Sequence, residues 1–184
     1  MKKHGLWTIK RTEQRYADAF IEFHVDEVIK PDGSEGEFAV ARMLPGVSTL
    51  ALDADGFVYL GREFRYAIGR ESLETASGAV DEGEAEADAA RRELKEELGI
   101  EADELIDLGL VDAVTSQVYS PARLFLARGL RFRESEQEGT EEIEVVRVKL
   151  EAAVEMVMRA EITHAVSCTL ILKAQEYLRR EASL

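Results

Sequence analysis

Cysteine is almost missing from this chain. Its one thiol, Cys168, rules out an internal disulfide and suits a reducing cytoplasm. That residue falls in a helical apolar pattern, so a buried inert thiol is expected there and not a nucleophile. Proline occurs three times, and there is no low-complexity linker or internal repeat. No apolar run approaches the roughly 18 residues that span a bilayer. The opening MKKHGLW leads into charged sequence and not an apolar core, so no secretory signal is expected. Basic residues are also in deficit: 23 Lys and Arg against 37 Asp and Glu leave a net charge of −14. Nucleic acid and anionic membrane are therefore poor electrostatic partners.

What the chain has is acid in two pools. Thirteen carboxylates lie within residues 71–104 and six within residues 134–144. Such pooling suits a cation-loaded site, where metal offsets the repulsion between an acidic protein and an anionic substrate. A length of 184 residues and an apolar content of 46% are enough for one domain, or one domain with a small appendage. The first pool contains GAVDEGEAEADAARRELKEELGI, residues 78–100. Residues 84–98 hold no Pro or Gly and are rich in Ala, Leu, Glu, Arg and Lys, which predicts a helix. Gly99 ends it as a residue that takes positive φ without strain. Glu93, Glu96 and Glu97 fall at i, i+3 and i+4, on one helix face. Two such charges ~4 Å apart repel by roughly 4 kcal/mol at an effective dielectric of about 20. Hard cations relieve this, because Mg²⁺ and Mn²⁺ prefer carboxylate oxygens. A solvated face offset by Arg91, Arg92 and Lys95 also does so.

Gly78, Glu84, Arg92, Glu93, Leu94, Glu96, Glu97, Gly99 and Ile100 follow the spacing G-(five residues)-E-(seven residues)-R-E-U-x-E-E-x-G-U, with U aliphatic. Average residue frequencies make a chance match on the order of one in a billion per start position. The chain thus resembles the Nudix hydrolases, whose box this is. The resemblance implies an α+β fold, an α/β/α sandwich around a mixed sheet, and metal-assisted hydrolysis of a diphosphate. It implies metal ligation by Glu93, Glu96, Glu97 and the main-chain carbonyl of Ser77, with Mg²⁺ or Mn²⁺ as cofactor and more than one ion per site. Glu93 and Glu97 also enter the implied catalytic set. Gly78 would let the backbone approach closely, Arg92 would fix a box glutamate, and Glu84 would support the ligands from behind. Many relatives carry Glu-x-Pro-Ala before the glycine. Here Glu74-Thr75-Ala76-Ser77 stands in its place, which predicts a less rigid loop but leaves a carbonyl ligand available.

Residues 1–45 read as an N-terminal β appendage and residues 46–184 as the Nudix domain. A β-rich run through Phe20, Phe23 and Val28, the Pro31-Asp32-Gly33 turn and Phe38-Ala39-Val40-Ala41 predict a hairpin. An extension of this length resembles the ADP-ribose and nucleotide-sugar pyrophosphatases, where it implies a homodimer. Trp7, Phe20 and Phe23 could equally form private core. Residues 47–52 and 57–60 flank Asp53-Ala54-Asp55-Gly56 as a second hairpin. Gly61-Arg62-Glu63-Phe64-Arg65-Tyr66 resembles the family segment near the nucleotide diphosphate. Arg62 and Arg65 are candidate phosphate ligands, with Glu74 beside them as a further candidate substrate contact. The two arginines are three apart, so on a strand only one faces the site.

Residues 105–114 and 123–130 have strand character. Between them Tyr119 could stack on a base or simply pack. Ser120-Pro121-Ala122 departs from the Ser-Pro-Gly of typical ADP-ribose pyrophosphatases, which weakens an assignment to ADP-ribose. Residues 131–140 form a charged loop before a strand at 143–148. In nucleotide-sugar relatives a glutamate there positions or deprotonates water; Glu141 is the first choice, then Glu138 and Glu142. Residues 150–160 and 165–180 read as helices with apolar core faces, and His164 as a cap or surface residue.

The implied substrate is a nucleoside diphosphate joined to another moiety, ADP-ribose or GDP-mannose above all. Dinucleoside polyphosphates, coenzyme A and damaged nucleoside triphosphates are rivals within the enzyme class. A non-catalytic nucleotide-sugar-binding Nudix module is the rival outside it. Isomerisation of isopentenyl diphosphate on the same fold needs a cysteine early in the core, and Cys168 is misplaced for it.

Overall fold

The structure is a computed structural model, and its described residues are 1–135, 137 and 142–183. In chain order the first strands are β1 (Lys2–His4), β2 (Trp7–Ala17), β3 (Ile21–Ile29), β4 (Glu35–Met43), β5 (Gly46–Leu52) and β6 (Phe57–Arg65). A short 3-10 turn, Tyr66–Ile68, leads to β7 (Arg70–Glu74), β8 (Ala76–Ala79) and α1 (Glu86–Leu98). Then follow β9 (Ile100–Asp112), β10 (Val118–Tyr119), β11 (Pro121–Phe132), β12 (Glu144–Lys149), α2 (Leu150–Met158) and α3 (Ala165–Glu181).

The chain divides into two compact units, Met1–Pro45 with Asp112–Pro121, and Gly46–Val111 with Ala122–Leu184. The first is a five-stranded sheet in the order β1-β2-β3-β4-β10. The expected hairpin is its β3–β4 pair, joined through the Lys30 to Ser34 turn. Charged and polar residues in β2 hid the strand from a reading by apolar pattern. Residues 112–121, taken from sequence as part of the larger domain, fall in this smaller unit, where β10 runs parallel to β4. Tyr119 lies there under the Arg42 guanidinium, 4.5 Å from the ring centroid.

Alternation along strands builds the second unit. β5 sends Leu50 and Leu52 into one core and Ala51 into another, and β6 does the same with Val58 and Leu60 against Tyr59. Side chains alternate with period two, so the sheet has two apolar faces and each needs a cover. Leu150, Ala153, Leu170, Ile171 and Ala174 of α2 and α3 complete the first core. Leu94 and Leu98 of α1 complete the second. The sheet order is β12-β6-β5-β11-β9; β11 runs parallel to β5 and β12 antiparallel to β6, so the sheet is mixed. This is the α/β/α sandwich that the sequence implied.

Strand β5 changes neighbour along its length. Its first half pairs with β8 and its last two residues with β6, while the far end of β6 pairs with β7. The chain therefore crosses from one ladder to the other at Thr75, which is buried. Neither β7 nor β8 was legible beforehand, because each is short and mixes polar with small residues. Among the described residues, no helix is long and apolar enough to cross a membrane.

Candidate active site

The box residues meet where β8 enters the α1 turn. Helix α1 starts at Glu86, two residues later than composition predicts. Glu84 instead turns its carboxylate to the Asp81 N–H, 3.1 Å, and to Arg92. Arg92 is the hub of the turn. It donates to Glu84 Oε1 and Oε2 at 3.0 Å each, to Glu93 at 2.6 Å, to Glu96 at 3.2 Å and to the Ala79 carbonyl at 3.0 Å. The hydrogen bonds it donates to Glu84 come first in keeping this guanidinium protonated, and Arg92 in turn holds the Glu84 carboxyl below the usual range. Five donors in a planar fork suit such a hub.

Two glycines are required by geometry. A Cβ at Gly78 would overlap the Glu93 carboxylate, so the absent side chain is what lets that carboxylate lie on the strand backbone. Gly99 has φ 64° and caps α1, and a Cβ there would also collide with the Arg133 carbonyl oxygen. Glu97 is buried, at 8% exposure, and accepts the Ser77 N–H at 3.1 Å. Gln137 bonds the Glu97 and Ile143 carbonyls, at 3.1 and 3.0 Å, and so ties residue 137 to the end of α1.

Beside Glu97 lies a cavity of about 10 Å³, room for roughly one water, lined by Glu63, Arg65, Glu74 and Thr75 among others. Arg65 donates to Glu74 at 2.9 Å and lies 2.7 Å from Glu63. Burial pushes the Glu74 carboxyl upward, but the bonds from Arg65 and Ser72 outweigh it and leave the group below its ordinary value. His164 Nδ1 lies 3.3 Å from the same carboxylate. Burial, opposed by Glu74 and aided by Arg65, lowers the His164 pKa. Arg62, three residues before Arg65, points elsewhere and pairs with Glu144 at 2.9 Å in a groove of about 310 Å³ shared with Phe64, Glu71 and Glu142.

Glu93, Glu96, Glu97, Ser77, Gly78, Glu84 and Arg92 are thus brought together, with Arg65 and Glu74 next to Glu97. Tyr119 belongs to the other unit. Glu138 and Glu141 lie outside the described residues; Glu142 lines the Arg62 groove. Sequence reading missed Glu63, Gln137, Ser48, Thr75 and Ser167. The signal was present for one of them: Ser48, together with Thr49, interrupts an otherwise apolar strand, and both are fully buried. Cys168 donates its thiol proton to the Ile162 carbonyl at 3.2 Å, and burial pushes its pKa up, as for an inert thiol.

Among the described residues, no three His, Cys, Asp or Glu side chains already stand as a metal-ligating group. The box carboxylates are instead held by Arg92 and a backbone N–H. The donors nonetheless suit a hard divalent cation: all are carboxylate or carbonyl oxygens, and the bare Gly78 backbone cradles the Glu93 carboxylate.

Residues 42–167 match the NUDIX domain. The chain is 28% identical to the ADP-ribose pyrophosphatase of Bacillus subtilis (strain 168) over 155 residues, covering 83% of this chain and 84% of that protein. It is 24% identical to the methanol dehydrogenase activator of Bacillus methanolicus over 180 residues, covering 95% and 96%. Among solved structures, that of an ADP compounds hydrolase superposes with a TM-score of 0.85 at 21% identity, covering 100% of both chains, which is a likeness of fold.

Proposed function

The chain belongs to the Nudix family, and from that premise we propose that it is a pyrophosphohydrolase cleaving the diphosphate bond of a nucleoside diphosphate joined to a second moiety, with ADP-ribose first among its substrates. The observation that carries this reading is the meeting of Gly78 with Glu93 and of Ser77 with Glu97 at one turn. Likeness to an ADP-ribose pyrophosphatase over more than four-fifths of both chains supports the substrate class.

In this reading Glu93, Glu96, Glu97 and the Ser77 carbonyl hold Mg²⁺ or Mn²⁺, with more than one ion per site. A divalent cation bound there supplies positive charge that neutralises the diphosphate and acidifies a water. The chain's own residues do the rest. Arg92 restrains Glu93 and Glu96, and Glu84 fixes Arg92. Arg65, committed to Glu63 and Glu74, offsets negative charge around Glu97 and is a positioning group more than a free phosphate ligand. Arg62 is the better phosphate contact, because its partner Glu144 is exposed and easily displaced. Glu138, Glu141 and Glu142 remain the candidates to handle the attacking water, and Tyr119 a candidate base contact.

The same reading includes a cytoplasmic homodimer. Support for the dimer is that the small N-terminal unit leaves Leu6, Tyr16, Phe20 and Phe23 exposed, which a second copy could cover. The deciding experiment is a panel of ADP-ribose, GDP-mannose, other nucleotide sugars, dinucleoside polyphosphates, coenzyme A and nucleoside triphosphates with Mg²⁺ and product identification. ADP-ribose turned over to AMP and ribose 5-phosphate is expected. Hydrolysis of none would replace this reading with a nucleotide-binding regulatory module, a role to which the relative named for activating methanol dehydrogenase lends some weight.

A further inference from the structure

A row of buried hydroxyls lies behind Ser77, and the direction of every proton in it follows from one end. Each hydroxyl has one proton to give and two lone pairs to receive with. Ser77 Oγ lies 2.8 Å from the Thr75 carbonyl oxygen, which only accepts, so Ser77 spends its proton there. Ser48 Oγ, 2.8 Å from Ser77 Oγ, must then donate to it. With its proton committed, Ser48 receives one from Thr75 Oγ1 at 2.6 Å. Thr75 Oγ1 in turn receives from Ser167 Oγ at 2.9 Å. Ser167 Oγ also accepts the Thr75 N–H at 3.0 Å, and its remaining neighbour is His164 Nδ1 at 2.9 Å. No proton is left on Ser167 for that contact, so the imidazole supplies it.

Ser48, Thr75 and Ser167 are 0%, 2% and 0% exposed, so none can turn to bulk water for a substitute. The Glu74 carboxylate, 3.3 Å from the same ring nitrogen, favours a proton at Nδ1 as well. We infer that His164, Ser167, Thr75 and Ser48 form a one-directional hydrogen-bond chain that positions Ser77 and, through its N–H, the Glu97 carboxylate. The inference rests on the reading of Ser77 and Glu97 as metal-holding groups only for its functional consequence, not for the chain itself. It also accounts for a segment that lacks the stiffening proline of its relatives: β8 is pinned from behind by hydroxyls contributed by β5 and α3. The His164 ring takes its neutral form near neutral pH, because burial and Arg65 lower its pKa against the pull of Glu74.

The chain is tested in the metal-free protein by long-range ¹H–¹⁵N NMR of the imidazoles at about pH 8, where histidine is ordinarily neutral, with His164→Asn identifying the signal. A proton on Nδ1 is expected; a proton on Nε2 overturns the inference. Its consequence is tested by calorimetric titration with Mn²⁺ alone. Thr75→Val keeps the shape and removes the hydroxyl, and it should weaken Mn²⁺ binding about tenfold, the size of effect seen when groups supporting a metal ligand are lost. Thr75→Ser should restore wild-type affinity, which a purely steric role of this side chain would not do. Wild-type affinity in a folded Thr75→Val variant overturns the positioning role. If Thr75→Val does not fold, Ser167→Ala is titrated in its place under the same two outcomes. Should the wild type itself bind no Mn²⁺, the metal reading fails, and the His164 tautomer alone decides the chain.

Discussion

Gly78 and Glu93 occupy touching positions: a methyl group on the first would overlap the carboxylate of the second. The contact joins strand β8 to helix α1 at the point where the box begins. Gly78→Ala should therefore displace Glu93, lowering kcat at least tenfold and stability by about 1–3 kcal/mol, the usual cost of overpacking. Steady-state kinetics and urea unfolding check both, and unchanged kcat would remove Glu93 from its assigned place.

Glu97→Gln keeps size and keeps an oxygen to accept the Ser77 N–H, yet an amide is a poor ligand for a hard cation. Activity should fall at least a hundredfold while the melting temperature holds. Near-normal kcat at saturating Mg²⁺ would refute the metal assignment.

Arg65 and Arg62 should separate by readout. Arg65→Ala strips the buried Glu74 of its guanidinium partner and leaves it Ser72 and His164, a loss of about 1–3 kcal/mol for a buried acceptor deprived of one charged donor. Arg62→Ala breaks only an exposed pair with Glu144, so its melting temperature should not move while KM for ADP-ribose rises. Thermal melts and kinetics of the two variants give the comparison.

Acid stability carries a signature from Asp53. Burial pushes its carboxyl upward, but hydrogen bonds from Arg147, the Phe57 N–H and Tyr59 prevail and bring the pKa from 3.8 to about 2. A depressed folded-state value means this contribution is fully present above pH 3.8 and is lost as pH falls through about 2. Melting temperature measured between those limits should fall less steeply in Asp53→Asn than in wild type. Parallel curves would show that the cluster does not couple to folding.

The positions of the box residues were legible because their determinants are local. Helix periodicity alone puts Glu93, Glu96 and Glu97 on one face, and Gly99 ends the helix through its own φ of 64°. The Asp53-Ala54-Asp55-Gly56 turn likewise announced the strands at residues 47–52 and 57–60 that flank it. These patterns repeat within a few residues, so no distant partner is needed to read them.

Partners from afar were decided by the fold. Arg65 meets Glu74 because β6 and β7 pair, and Ser48 meets Ser77 because β5 exchanges β6 for β8 along its length. Ser167 reaches Thr75 across 92 residues of sequence because α3 packs behind that exchange. No periodicity encodes such meetings, since a hydroxyl in a strand reads the same whether its partner is water or a serine 92 positions away. The sequence by itself determined the family, through the spacing of the box from Gly78 to Ile100, and the resemblance to the Nudix hydrolases carried the diphosphate chemistry with it. Only the tertiary structure decided which arginine stands beside Glu97 and which polar side chains back Ser77, because strand order and helix packing set those distances.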